Sequence, residues 1–398
     1  MSFDIAITGL NAFTKQLSGI SNNIANTGTA GYKSMRTEFQ SLYGGGQPLG
    51  VGISRVSQSM GLTGTLTDSA RNLDLAINGG GLFVLKGNDG RNCYSRAGYF
   101  ECDKDGYIVN NLNNRLQGYP VNAAGELQTG VVGDLKMGTG NLPAKATSKL
   151  ELTANLDARA KTITKTPFNP EDKDTYNNTS TTKVYDSLGV EHSMTQCFVK
   201  TGAGTWEAHY YVDGKPASQP TTPAKITFDN NGVMTAPTGP VSIQFTPDGA
   251  APLTVNVDYT GTTQFGSDFN VSKNNPDGYT TGVRTGEEID QDGKIHATYS
   301  NGQRALQGQV VLAGFSNLDG LESTNGTAWY ETSSSGQPII GEPKSGLNGD
   351  IKSKHIEGSN VDMASELVGL MSAQRNYQAN TKVISTNDQM MTALFQAV

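Results

Sequence analysis

Side chains able to do acid–base, nucleophilic or metal chemistry are thinly spread along this chain of 398 residues. The four histidines, His192, His209, His296 and His355, stand far apart, and none has a neighbour at metal-ligand spacing. Each reads as a satisfied or exposed ring. Cys93, Cys102 and Cys197 are an odd number without Cys-x-x-Cys spacing, so neither a disulfide framework nor a zinc site follows. Cys93 and Cys102 are expected in the strands of one hairpin, as buried free thiols. Gly44-Gly45-Gly46 and Gly79-Gly80-Gly81 lack the lysine and the strand–glycine–helix context of a phosphate loop, and no Gly-x-Ser-x-Gly elbow is present. Asp103-Lys104-Asp105-Gly106 and Asp290-Gln291-Asp292-Gly293 open like calcium loops, but neither supplies the third ligand and closing glutamate. Hairpin turns account for both better. No catalytic, cofactor-binding or metal-ligating residue is assigned, and the chain is not read as an enzyme.

Composition narrows the remaining classes. Charged residues are 17% of the chain, against roughly 25% in an ordinary soluble domain. Thirty Lys plus Arg face 37 Asp plus Glu, a net charge of −7, which gives no grip on a phosphate backbone. Nucleic acid is not an expected partner. No apolar stretch approaches the roughly 18 residues needed to cross a bilayer, so membrane insertion is not expected either. The opening Met1-Ser2-Phe3-Asp4-Ile5-Ala6-Ile7 carries an acid and no early Lys or Arg, and reads as no cleavable secretory signal. Glycine, 48 of 398 residues, favours many tight turns.

Apolar spacing then assigns the elements. From residue 1 to 26, Phe3, Ala6, Leu10, Phe13, Leu17, Ile20 and Ile24 alternate steps of three and four, the seam of a coiled coil. From 359 to 398, Met363, Leu370, Tyr377, Ile384, Met391 and Val398 recur every seven residues, with Leu367 and Phe395 in a second, interrupted row. Ser359-Asn360-Val361-Asp362 supplies a cap, and Asp362 and Glu366 suit the positive end of a helix. Such helices would be roughly 35 and 55 Å long. Around the first seam lie Gly9, Asn11, Ser18, Gly19, Ser21, Asn22 and Asn23, where a solvated helix would carry Lys and Glu. Small neutral faces allow close approach by several neighbours. Both ends read as parts of a multi-chain helical assembly.

The middle reads as β structure. Short apolar runs are joined by Asn88-Asp89-Gly90, Asp103-Lys104-Asp105-Gly106, Ser187-Leu188-Gly189, Asn230-Asn231-Gly232 and Asp290-Gln291-Asp292-Gly293, which supply the positive φ that tight hairpins need. Residues 145–285 are rich in Thr, Asn, Pro and Gly, while 71–144 and 286–358 hold the more apolar strands. The expected architecture is mainly β, two nested β domains with N- and C-terminal α-helices forming a coiled-coil-like helical domain. Residues 71–144 and 286–358 form an inner β domain, 145–285 an inserted outer β domain, and 27–70 an extended connector.

The run Ser18-Gly19-Ile20-Ser21-Asn22-Asn23-Ile24-Ala25-Asn26-Thr27-Gly28-Thr29-Ala30-Gly31-Tyr32-Lys33 closely resembles the N-terminal signature of the bacterial flagellar rod and hook proteins. Ser359-Asn360-Val361-Asp362, Glu366-Leu367-Val368 and Ala373-Gln374-Arg375-Asn376-Tyr377-Gln378 resemble the matching ending. Lys165-Thr166-Pro167-Phe168 and Val184-Tyr185-Asp186-Ser187-Leu188-Gly189 are similar to the outer domain of the hook-type members. The resemblance implies a structural subunit that polymerises with itself into a curved, flexible tube carrying torque from rod to filament. It implies Phe3, Leu10, Phe13, Leu17, Ile20, Ile24, Met363, Leu367, Leu370, Tyr377, Ile384 and Met391 as self-assembly residues, and Asn22, Asn23, Ile24, Ala25, Asn26, Gly31, Tyr32 and Lys33 as the family motif. Phe39-Gln40-Ser41-Leu42-Tyr43 matches an export-gate pattern, Phe39 and Tyr43 being its anchors, although a buried aromatic pair accounts for it as well. The implied partners are the distal rod protein, the hook–filament junction protein, the hook cap protein and the flagellar type III export apparatus, with no cofactor. The implied location is the extracellular hook. A distal-rod-type subunit and a carbohydrate-binding surface adhesin are the other two readings.

Overall fold

Helices form where the three-four apolar spacing predicts them. The computed structural model describes residues 2–138 and 140–397, with α1 over Ser2–Ala25 and α2 over Met363–Ala397. The seam position Val398 lies outside the described residues. The Asp362 carboxylate starts α2 by accepting from Ala364 N (3.0 Å) and the Ser365 hydroxyl (2.6 Å), and these bonds hold its pKa below the usual carboxylate value.

Between the helices the described chain is strand and turn, with two single-turn 3-10 helices at Lys173–Thr175 and Leu318–Gly320, and it divides into two compact units. One comprises Met1–Thr139, Thr285–Thr298 and Arg304–Val398; the other comprises Gly140–Arg284 and Tyr299–Gln303.

In the first unit, strands from both flanks interleave. Leu82–Lys86 pairs with Asn92–Ser95, Arg115–Pro120 and Leu312–Gly314, and Arg115–Pro120 pairs in turn with Arg304–Val310. Asp350–Ser353 pairs antiparallel with Leu75–Asn78, and His355–Glu357 with Leu66–Asp68. Leu82, Val84, Tyr94, Val311, Ala313 and Trp329 form one apolar cluster beneath these strands.

Residues 27–70 are not an extended connector. They hold a β-hairpin, β1 (Met35–Gly44) and β2 (Gln47–Gln58), turned at Gly45 and Gly46 with φ of +58° and +80°. Leu49, Val51 and Ile53 alternate in β2, but register shifts at Glu38/Phe39 and Leu42/Tyr43 break the alternation of β1, and Gly44-Gly45-Gly46 was the hairpin's signal. The hairpin lies against α1: Val51 N donates to Thr8 Oγ1 (3.3 Å), and the Phe13 and Phe39 rings are 5.9 Å apart. Gly50, at φ +115°, sits where any side chain would collide with Thr8.

A second correction concerns the thiols. Cys93 lies in Asn92–Ser95, paired with Leu82–Lys86, whereas Cys102 lies in Phe100–Cys102, paired with Ile108–Asn110. They belong to different hairpins, and Cys102 is half-buried. Burial pushes the Cys93 and Cys197 thiols up to about 11.

The second unit is a sandwich of a four-stranded and a six-stranded sheet. Alternating residues of Thr205–Val212 and Leu253–Asp258 point inward, and Leu150, Leu152, Phe198, Trp206, Ile226, Ile243, Val255 and Tyr259 meet in one core. Inside it Tyr259 donates to Gln196 Oε1 (2.6 Å) and shares a 2.8 Å hydroxyl pair with Tyr210. Gly189 and Gly232 here, like Gly90, Gly106 and Gly293 in the first unit, have φ between +77° and +87°. At Asp103, Asp186 and Asp229 the carboxylate accepts backbone N–H groups two and four residues on. The calcium-like Asp103 therefore serves its own turn.

Candidate functional site

The last turn of α1 is closed by its asparagines. Asn26 N donates to the carbonyls of Asn22 and Asn23 (both 3.1 Å), and Asn26 Nδ2 returns to Asn22 O at 2.9 Å. The Thr29 hydroxyl then donates to Asn26 Oδ1 (3.0 Å). Asn23 does more than end the helix. Fully buried, its carboxamide donates to Met35 O (2.9 Å) and Glu366 Oε1 (2.8 Å). Its oxygen accepts from Met35 N (2.8 Å) and the Tyr32 hydroxyl (3.1 Å). All four bonding positions of one amide are filled, joining α1, β1 and the first turn of α2. Burial and the nearby Glu366 carboxylate push the Tyr32 phenol up.

Gly31 follows with φ +68°, donates from its backbone to Glu357 O (2.8 Å), and passes so close to Ala97 that a Cβ would lie 2.5 Å from its nitrogen. Only glycine fits. Next comes Lys33, wholly buried, with Nζ on Leu62 O (2.6 Å) and Glu357 Oε1 (2.7 Å). The other Glu357 oxygen takes Arg96 at 3.0 Å, and Arg96 also reaches the carbonyls of Ile77 (3.3 Å) and Gly79 (2.7 Å). One carboxylate thus serves two cations inside the protein. Burial lowers the Lys33 pKa, Glu357 opposes that, and Arg96 reinforces it. Asn360 finishes the base by accepting from Ser34 N (2.7 Å) and donating to Ser59 O (2.9 Å) and Leu62 O (3.1 Å).

The family-motif residues and the segment 357–366 therefore form one polar latch. Asn23, Gly31, Tyr32 and Lys33 stand in it; Asn22 and Asn26 close the helix beside it; Ile24 is half-buried and Ala25 exposed. Glu357 and Arg96 were not singled out from sequence. They lie 324 and 63 positions beyond Lys33, and a buried pair so remote leaves no local spacing to read.

Above the latch, α1 and α2 run antiparallel. The deepest positions are small: Ala6, Gly9, Ala12 and Gly19 on α1, and Ala373 on α2. Of the seam residues Ile20 is buried, and Leu10, Phe13, Leu17, Leu370 and Ile384 are half-buried. Phe3, Met363, Leu367, Tyr377 and Met391 face outward instead. So do Val368 (60% exposed), Met390 (64%) and Phe395 (75%). α2 carries four charged residues, Glu366, Arg375, Lys382 and Asp388, in 35. A helix left to water would carry many more. In the export-gate pattern, Phe39 packs on Phe13 rather than on Tyr43, and Tyr43 is 69% exposed near the hairpin tip.

Comparison with known proteins agrees with this arrangement along the chain. The Flagella basal body rod protein family matches residues 3–33, and the Flagellar hook protein FlgE/F/G D1 domain matches 76–164. The Flagellar basal body protein FlaE D2 domain matches 155–279, and the Flagellar basal body rod FlgEFG protein C-terminal family matches 352–397. Flagellar hook protein FlgE of Salmonella typhimurium is 36% identical over 408 residues, covering 99% of both chains. The Escherichia coli K12 protein of that name is 34% identical over 407 residues, again covering 99% of both. A crystal structure of Helicobacter pylori flagellar hook protein FlgE2 shares the fold, with a TM-score of 0.56 at 15% identity, over 73% of this chain and 100% of that one. With its latch, its outward-facing apolar helices and full-length similarity, the chain belongs to the flagellar hook protein family.

Proposed function

We propose that this structural subunit builds the hook by packing its terminal helix pair against the helix pairs of sister copies, giving a curved, flexible tube that passes torque from rod to filament. The large apolar side chains on the outer surface of α1 and α2 carry this reading. Covering them takes apolar surface out of water, and burying each contributes about 1.5–3 kcal/mol. The second unit exposes many neutral side chains, among them Thr162, Thr179, Thr221, Asn230 and Asn275. Contacts of that kind, worth on the order of 1 kcal/mol or less, break and re-form readily as a tube bends.

Purified chain is expected to form curved tubes in negative-stain images; straight tubes would favour the distal-rod type. Removing residues 1–26 or 361–398 should leave folded β units that do not polymerise. Tube formation by either truncated chain would refute the reading. The distal rod protein, junction protein and cap protein then act at the two ends of the polymer, and the type III export apparatus delivers it. For export, Tyr43→Ala is the cleaner test, because Phe39 also packs on α1. Reduced secretion with unchanged thermal unfolding supports the Phe39–Tyr43 signal, and normal secretion removes it.

A further inference from the structure

Three facing pairs define the stagger of α1 and α2. A Cβ on Gly9 would lie 2.8 Å from Asn380 Oδ1, a Cβ on Gly369 would lie 3.5 Å from Ile20 Cδ1, and Asn23 bonds Glu366 at 2.8 Å. Steps up α1 equal steps down α2, so the pairing has a single register. In that register α2 runs on for nearly three turns past the start of α1.

Apolar packing alone does not select this register. The small, covered positions of the pair are Ala6, Gly9 and Ala12 on α1 and Gly369 and Ala373 on α2, with Ile20 the one large apolar side chain buried there among the described residues, while Gly19 faces Thr37 of β1. Small side chains make shallow ridges, and sliding by one turn meets another shallow row. Asn23 responds differently. A slip removes Glu366 from the buried carboxamide and leaves one N–H with no acceptor. A single buried asparagine fixes register in coiled coils by the same means.

We infer that the Asn23–Glu366 bond sets the axial register of the terminal helix pair, and with it the length of α2 left beyond α1. The inference deepens the assembly reading and is tested in the unpolymerised full chain, so the two fail separately. Gly9→Cys is combined with Asn380→Cys for the native register, and with Asn376→Cys or Ile384→Cys for a slip of one turn either way. After mild oxidation, peptide mapping distinguishes the new disulfides from any involving Cys93, Cys102 or Cys197. In the parent, only the 9–380 disulfide should form.

Glu366→Ala leaves the Asn23–Met35 bonds in place, so the base still folds. There the slipped disulfides should rise clearly above their parent yields, while Asn360 still holds the chain just ahead of α2. Glu366→Gln keeps an oxygen that accepts from Asn23 and should restore the single product. A single product in Glu366→Ala, or mixed products in Glu366→Gln as well, overturns the inference.

Discussion

In the sandwich of the second unit, Trp206, Phe198 and Tyr259 lie wholly inside, whereas the deepest apolar residues along the terminal helices are Ala6, Ala12 and Ala373. The helices turn Phe3, Val368, Met390 and Phe395 outward. A region that folds by itself places its bulk within. A region finished by other copies keeps its bulk for them, and lets small residues bring its own two helices close. The latch stands between these cases: it belongs to the helical end yet is buried like a core, with polar groups in place of apolar ones.

That contrast is open to attack by substitution, strongest effects first. Glu357→Ala leaves Lys33 and Arg96 as two buried cations without a carboxylate and should cost about 3–5 kcal/mol in urea unfolding. A loss below about 1 kcal/mol would mean that the base is not packed as described. Trp206→Ala empties the sandwich core at a similar cost, about 3–5 kcal/mol. Tubes should still form from this variant below its lowered melting temperature. Met391→Asp should do the reverse, shifting unfolding by no more than about 0.5 kcal/mol while abolishing polymer, because a charge would be buried between copies. If Met391→Asp polymerises normally, that surface of α2 is not an interface.

The smallest effect is a pH dependence of the sandwich. Burial disfavours protonation of His192, but its bonds to Asp213 (2.6 Å) and Asp186 (3.4 Å) prevail and raise its pKa above the ordinary value. A raised folded-state value stabilises fully below the unfolded value near 6.5, and that contribution is lost as pH rises through the folded value. Thermal melts across this range should decline with pH, by less than about 1 kcal/mol in total. His192→Gln should flatten the decline, and an unchanged slope would exclude the pair.

Much of this was legible in the sequence because it is local. The seam residues gave both helices, and Gly90, Gly106, Gly189, Gly232 and Gly293 gave the turns, since positive φ is a property of single residues. Periodicity shows that a helix has an apolar side; it does not tell which of Leu370, Tyr377 and Met391 the same chain covers. The β1–β2 hairpin escaped because two register shifts break the alternation of its first strand. Asn23 was readable as a helix terminator, but its bond to Glu366 spans 343 positions and only the fold reveals it.

The latch draws on opposite extremes of the polypeptide, since Lys33 waits for Glu357 and Asn23 for Glu366. A translation product that stops before these acids can still complete its sandwich, whose residues all precede them. It cannot neutralise Lys33 or supply α1 with a companion. A copy cut short before residue 357 is thereby left with an unfinished helical foundation beneath a finished sandwich.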